Sequence, residues 1–196
     1  ANQGELSVVD PVSPITATLT GPGTYSIGGS GTRTLAGDAT GFFGTLLLKG
    51  GVTRIKDAAQ LGGEGATLVI TNGAALDISG GLEGLTFSQL NLQDRNVFLS
   101  GDGPDGLGAF RPEAYNAAAG GESGSTNQGW NAVRSSRFTL MDDATIGSPN
   151  QTRWGFLNSV FDQQGHTLTF NNAGRILVNG TTVTNAGPIV LAEREQ

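Results

Sequence analysis

One phrase recurs along this chain and limits what the chain can fold into. Thr45-Leu46-Leu47-Leu48-Lys49-Gly50-Gly51-Val52-Thr53-Arg54-Ile55 is followed by Thr67-Leu68-Val69-Ile70-Thr71-Asn72-Gly73-Ala74-Ala75-Leu76-Asp77-Ile78, so that Thr67 opens the second copy as Thr45 opens the first. Further on, Thr167-Leu168-Thr169-Phe170-Asn171-Asn172-Ala173-Gly174-Arg175-Ile176-Leu177-Val178 repeats the design. Each copy is a short apolar run, a Gly/Asn turn and a second apolar run, which reads as strand, corner, strand. One such unit cannot cover its own apolar face, so the copies must stack. The stretch from Thr45 to Thr67 is what one coil of a parallel β-helix consumes when it holds two or three short strands and tight corners. Stacking then places Leu46, Leu48, Leu68, Ile70, Leu168 and Phe170, which share one phase of their strands, in columns inside a continuous core.

Asn72-Gly73 and Asn179-Gly180 supply the positive φ that a corner needs. Asn-Gly is also the signature of a type I′ hairpin, so an antiparallel β-sandwich is the architectural alternative. The repeated phrase at coil-like spacing favours the solenoid. Composition agrees: 32 glycines in 196 residues and only 14% charged residues suit short strands joined by tight turns and do not suit a helical enzyme.

The rest of the chain is read against that period. Residues 1–14 form a polar, proline-marked arm or cap, 15–192 a single β-helix domain of about six to eight coils, and 193–196 a charged tail. Alternation starts at Ile15-Thr16-Ala17-Thr18-Leu19, and short strands are expected at 24–27 and 32–35. Further coils are expected around 85–99, 137–146 and 181–191. Between Ser100 and Ser136 the pattern stops, so 100–136 is expected as one long insertion, the place where a binding role would be displayed.

The segment Arg137-Phe138-Thr139-Leu140-Met141-Asp142-Asp143-Ala144-Thr145-Ile146-Gly147, followed by Gly165-His166-Thr167-Leu168-Thr169-Phe170, resembles the autotransporter-associated β-strand repeat of bacterial surface proteins. The resemblance is best over 85–191 and weaker over 24–84. Where that family continues into a lysine-threonine-glycine-alanine-glycine turn, this chain has Phe170-Asn171-Asn172-Ala173-Gly174. The resemblance implies a right-handed parallel β-helix exported to the cell surface or beyond; because the open ends of a solenoid can accept another strand, the expected role is a non-catalytic stalk, adhesin passenger or self-assembling structural subunit. It carries no catalytic signature and implies no cofactor. The partners it suggests are further copies or other surface proteins, with glycans as a further class.

Several function classes are disfavoured by composition. A net charge of −6 with only two lysines, Lys49 and Lys56, leaves no basic patch for nucleic acid. The chain has no cysteine for disulfides, zinc ribbons or thiol catalysis, and no apolar run long enough for a membrane span. With Ala1 first and no signal-peptide pattern after it, the chain reads as a processed or excised piece.

Candidate chemistry is sparse. His166 is the only histidine and is expected at a coil corner rather than in a triad. Asp102 and Asp105, in Gly101-Asp102-Gly103-Pro104-Asp105-Gly106, and the pair Asp142-Asp143 are the carboxylate clusters from which a calcium site could be built, against the plainer reading of solvated turns. Phe110, Tyr115 and Trp130 in or near the insertion, with Trp154 beyond it, could offer a sugar-stacking platform if exposed, or pack the insertion onto the solenoid. Polysaccharide lyases and hydrolases also use β-helices, and Arg54, Asp57, Asp77 and Arg175 lie in or beside predicted coils. Their scatter points to no convergent groove.

Overall fold

The computed structural model describes residues 14–78, 89–112, 131–148, 153–172 and 175–192. Strand pairing winds these residues into a parallel β-solenoid with three sides. The first side stacks β2 (Thr24–Ile27), β5 (Thr45–Leu48), β7 (Thr67–Ile70), the later half of β9 (Gln89–Gly101), the middle of β11 (Asn131–Ser148), β13 (Val160–Asp162) and β16 (Thr182–Thr184). The second stacks β3 (Thr32–Thr34), β6 (Gly51–Arg54), β8 (Ala74–Asp77), β10 (Phe110–Arg111), the end of β11, β14 (Leu168–Asn172) and β17 (Ile189–Ala192). On the third side β1 (Thr20–Gly21) pairs with β4 (Gly41–Phe42) as a separate two-stranded sheet. That side continues as the starts of β9 and β11, then β12 (Arg153–Leu157) and β15 (Arg175–Asn179).

All the described strand pairs are parallel, which excludes the antiparallel sandwich. On the first side Thr24, Thr45, Thr67, Asn96, Arg137, Val160 and Thr182 stand in one row. Crossing that row once per coil, the chain makes about six turns, the architecture of a right-handed parallel β-helix. The Asn72-Gly73 corner shows why an apparent hairpin signal makes a coil. Gly73 has φ +84° while Asn72 stays out of the left-handed region, and Ala74 N donates to Thr71 O at 3.0 Å. That is a type II turn, whereas type I′ needs both central residues at positive φ.

The interior is built from rows. Tyr25, Leu46, Leu68, Val97, Phe138, Phe161 and Val183 occupy equivalent positions, and Ile27, Leu48, Ile70, Leu99 and Leu140 form the row beside them. The early coils fill the interior mainly with aliphatic side chains, beside Tyr25 and Phe42, and the later ones add a cluster of aromatic rings. Phe138 stacks on Phe161 at 4.9 Å between centroids and meets Phe110 edge-on at 5.0 Å, and Phe156 meets Phe161 edge-on at 5.1 Å. Burying each such side chain contributes about 1.5–3 kcal/mol, with further gain from offset and edge-on ring geometry.

The third copy of the phrase does not lie over the first two. Thr45–Ile55 and Thr67–Ile78 run from first side to second, whereas Leu168–Asn172 lies on the second side and Arg175–Asn179 on the third. Leu168 and Phe170 therefore join a different column, the one containing Ala144 and Ile146. The phrase encodes a strand-corner-strand step that fits any corner. The gap at 100–136 is also interrupted: Phe110–Arg111 makes a rung between β8 and β11, and 131–136 belong to β11. The arm at 1–13, the tail at 193–196 and residues 113–130 of that gap lie outside the described residues.

Candidate functional site

Three places carry the chemistry that the fold positions: the loop before β10, the corner joining the first and second sides in the later coils, and the C-terminal rung. In the loop, Asp102 O accepts from Gly108 N at 2.8 Å, closing the base of the turn. Arg111 Nη1 and Nη2 donate to Asp105 Oδ1 and Oδ2 at 2.5 and 3.0 Å, and Leu107 N donates to Asp105 Oδ1 at 3.2 Å. Asn171 Nδ2 ties Gly106 O to the next coil at 3.1 Å. Burial raises the Asp105 carboxyl, but the Arg111 fork, its charge and the Leu107 amide together outweigh that and hold it below the usual carboxylate range. Both oxygens are thus committed to an arginine. A calcium ion held by Asp102 and Asp105 would have to share Asp105 with that fork.

Arg54, Asp57 and Asp77, three of the residues that could have lined a catalytic groove, are occupied structurally. Arg54 Nε donates to Asp77 Oδ2 at 2.5 Å, and the row Arg54, Asp77, Arg111 places alternating charges on successive coils. Asp57 caps a 3-10 turn, Ala58–Leu61, by accepting from Ala59 N, while Gln60 returns its side-chain oxygen to Asp57 N. Arg175 lies on β15, on another side from Arg54.

Of the aromatic candidates, Phe110 and Trp154 are buried in the core, so neither offers a face to a sugar. Phe110 enters through its two-residue rung, too short to leave a period in the sequence. Trp154 and Phe156 are alternate residues of β12 with ring centroids 5.1 Å apart; that i, i+2 pairing is the signal which places them inside. Tyr115 and Trp130 lie outside the described residues.

At the corner between the first and second sides, Asp142 and Asp143 come close to His166 of the following coil. His166 Nδ1 stands 3.9 Å from Asp143 Oδ1, and one ligand atom from each of the three lies within 4.8 Å of the others. In the sequence these residues stand a whole coil apart; only the coil period brings them together.

The two ends of the solenoid differ. In the first described coil Ile27, Ser26 and Arg33 are buried, and Arg33 Nη1 donates to Gly50 O at 3.2 Å. In the last coil Leu177, Val178, Val183, Ile189, Val190 and Leu191 are exposed, with Leu191 at 76%. Arg33 and Leu191 belong to one row, which runs Arg33, Thr53, Leu76, Phe110, Ile146, Phe170, Leu191. The row is closed by a buried guanidinium at one end and ends in an uncovered leucine at the other. Among the described residues no helix is long and apolar enough to cross a membrane. No protein-family model matches the chain, and no curated protein or solved structure matches it either.

Proposed function

We propose that this chain is a non-catalytic structural solenoid of the bacterial cell surface or extracellular space, whose C-terminal rung stacks end-on against further parallel β-structure in a stalk, passenger or assembly. The observation that carries the reading is the exposed rung formed by β15, β16 and β17. Among the described residues these strands pair on one edge only, on all three sides, and six large apolar residues are exposed with them. Unpaired edges backed by apolar side chains are templates for another strand. The extracellular setting and the kinship with autotransporter-associated repeats rest on the Asp142–Gly147 and Gly165–Phe170 phrases. Of the charged residues weighed for lyase or hydrolase chemistry, Arg54 and Asp77 form an ion pair and Asp57 caps a turn, which favours a structural role.

Sedimentation velocity and electron microscopy over a range of concentrations test the reading. End-on association that grows with concentration is expected, and Leu191→Glu should suppress it without lowering the melting temperature. A strictly monomeric particle at every concentration would overturn the assembly reading. Release of unsaturated product from a polyuronide would overturn the non-catalytic one.

A further inference from the structure

The corner formed by Asp142, Asp143 and His166 has the donors, spacing and charge of a metal site. We propose that these three side chains bind one divalent transition-metal ion, with water completing its coordination. The inference is independent of the assembly reading above.

The corner is made by a slip in register. Leu140 on β11 faces Leu99 on β9, but the next matched pair is Ala144 with Gly101, so three residues of β11 stand against one of β9. Those three, Met141, Asp142 and Asp143, are all exposed. Consecutive residues of a regular strand point to opposite sides, which would send one aspartate inward; the slip frees both to face solvent. On the next coil Ala144 pairs with Leu168, which places the turn containing His166 directly over the two aspartates. The imidazole therefore comes from a different coil, fixed by the rung spacing of about 4.8 Å.

The backbone around the donors is tied down. Ala144 N donates to Thr167 O at 3.0 Å, and His166 N donates to Gln163 O at 2.8 Å. Thr167 N donates to Asp143 Oδ1 at 2.7 Å and Asp143 N to Asp142 Oδ1 at 2.8 Å, so each carboxylate is oriented through one oxygen and keeps the other for a ligand. Ligand bonds of about 2.0–2.2 Å place neighbouring donors roughly 3–4 Å apart, a little closer than the observed set, whose atoms lie within 4.8 Å of one another.

Charge points the same way. Three other aspartates lie against side-chain donors: Asp77 with Arg54, Asp105 with Arg111, and Asp162 with Asn185 and Gln164. Among the described residues neither Asp142 nor Asp143 has a lysine or arginine partner, and the one basic group beside them is an imidazole. An imidazole with two carboxylates suits zinc, manganese, cobalt or nickel better than calcium or magnesium, which prefer all-oxygen shells.

Because His166 is the only histidine, its imidazole proton signals report on the site without assignment ambiguity. The tag-free chain is titrated with ZnCl2 by NMR and calorimetry. The expected result is one saturable equivalent that moves the His166 signals, with His166→Gln, Asp143→Asn and Asp142→Asn each weakening binding about tenfold or more. Calcium at the same concentrations should leave the signals in place. Asp143→Asn retains an oxygen for the Thr167 amide, and Asp142→Asn is an exposed change that tests the site without disturbing that contact. Unmoved His166 signals at millimolar zinc, or zinc binding unaltered in both asparagine variants, would overturn the proposal.

Discussion

Glycine serves two unrelated ends in this solenoid, and substitution separates them. Gly73 has φ +84° with no atom within 4 Å of where a Cβ would stand, so alanine there meets only backbone strain. Gly155 lies outside the left-handed region, but a Cβ would fall on the carbonyl oxygen of Leu177 in the neighbouring coil. We expect Gly73→Ala to cost about 1–2 kcal/mol and Gly155→Ala about 3 kcal/mol or more, because the next rung must move. Urea unfolding of both variants checks this, and the reverse order would show that the coils separate easily. Legibility at the residue scale follows the same division. Gly73 is readable as a corner because Asn-Gly at a strand end demands positive φ. Nothing in the sequence announces that Gly155 is a contact point, since its requirement comes from a strand one coil away. Phe110 and Trp154 look like loop aromatics in the sequence for a related reason: their covering comes from other coils, and the Phe110 rung is only two residues long.

At the scale of the element, the loop before β10 owes its shape to one buried cation. Arg111 is fully buried and Asp105, whose side chain is 42% exposed, supplies its fork. The Asp105 carboxyl is held below its ordinary value, so its contribution to stability is present above the unfolded carboxylate range near pH 4 and lost as pH falls through the lower folded value. Partial exposure lets water screen the pair, which limits its worth. Thermal melting from pH 6 downward should therefore show wild type losing stability in acid, with a shallower loss in Asp105→Asn, which starts less stable because Arg111 is left with a weaker partner. Equal acid slopes in the two proteins would assign the loss to other carboxylates. The strand-corner-strand phrase is legible as an element from three copies, but its third copy belongs to another corner. Local chemistry specifies that a corner forms; the accumulated length of the preceding coils decides which corner it is.

The molecule as a whole is a one-dimensional stack, and its stability should vary along the axis. Each inner coil has neighbours on both faces, whereas β15, β16 and β17 pair on one edge only among the described residues. Amide hydrogen exchange in dilute solution should be fastest in the last coil and slowest around the aromatic cluster of Phe138, Phe156 and Phe161. Uniform protection of the last coil under dilute conditions would mean that its edges are already covered. The stacked fold is the most legible feature of the chain because the period that separates Thr45 from Thr67 survives local variation. The metal-like corner is the least legible, since Asp142 and His166 are neighbours only in units of that period.

Thr45 and Thr67, or Val160 and Thr182, stand one short coil apart in the first-side row. Asn96 and Arg137 are neighbours in the same row across almost twice that length of chain, after which the rows resume with Phe138 over Val97. The stack counts hydrogen-bonded rungs and is indifferent to how much chain passes between them. Extra sequence entering after Arg111 and rejoining at Asn131 leaves the neighbouring coils in step. The solenoid is thus a frame on which peptides of different length can be hung at one address, so novelty can accumulate there without renegotiating the core.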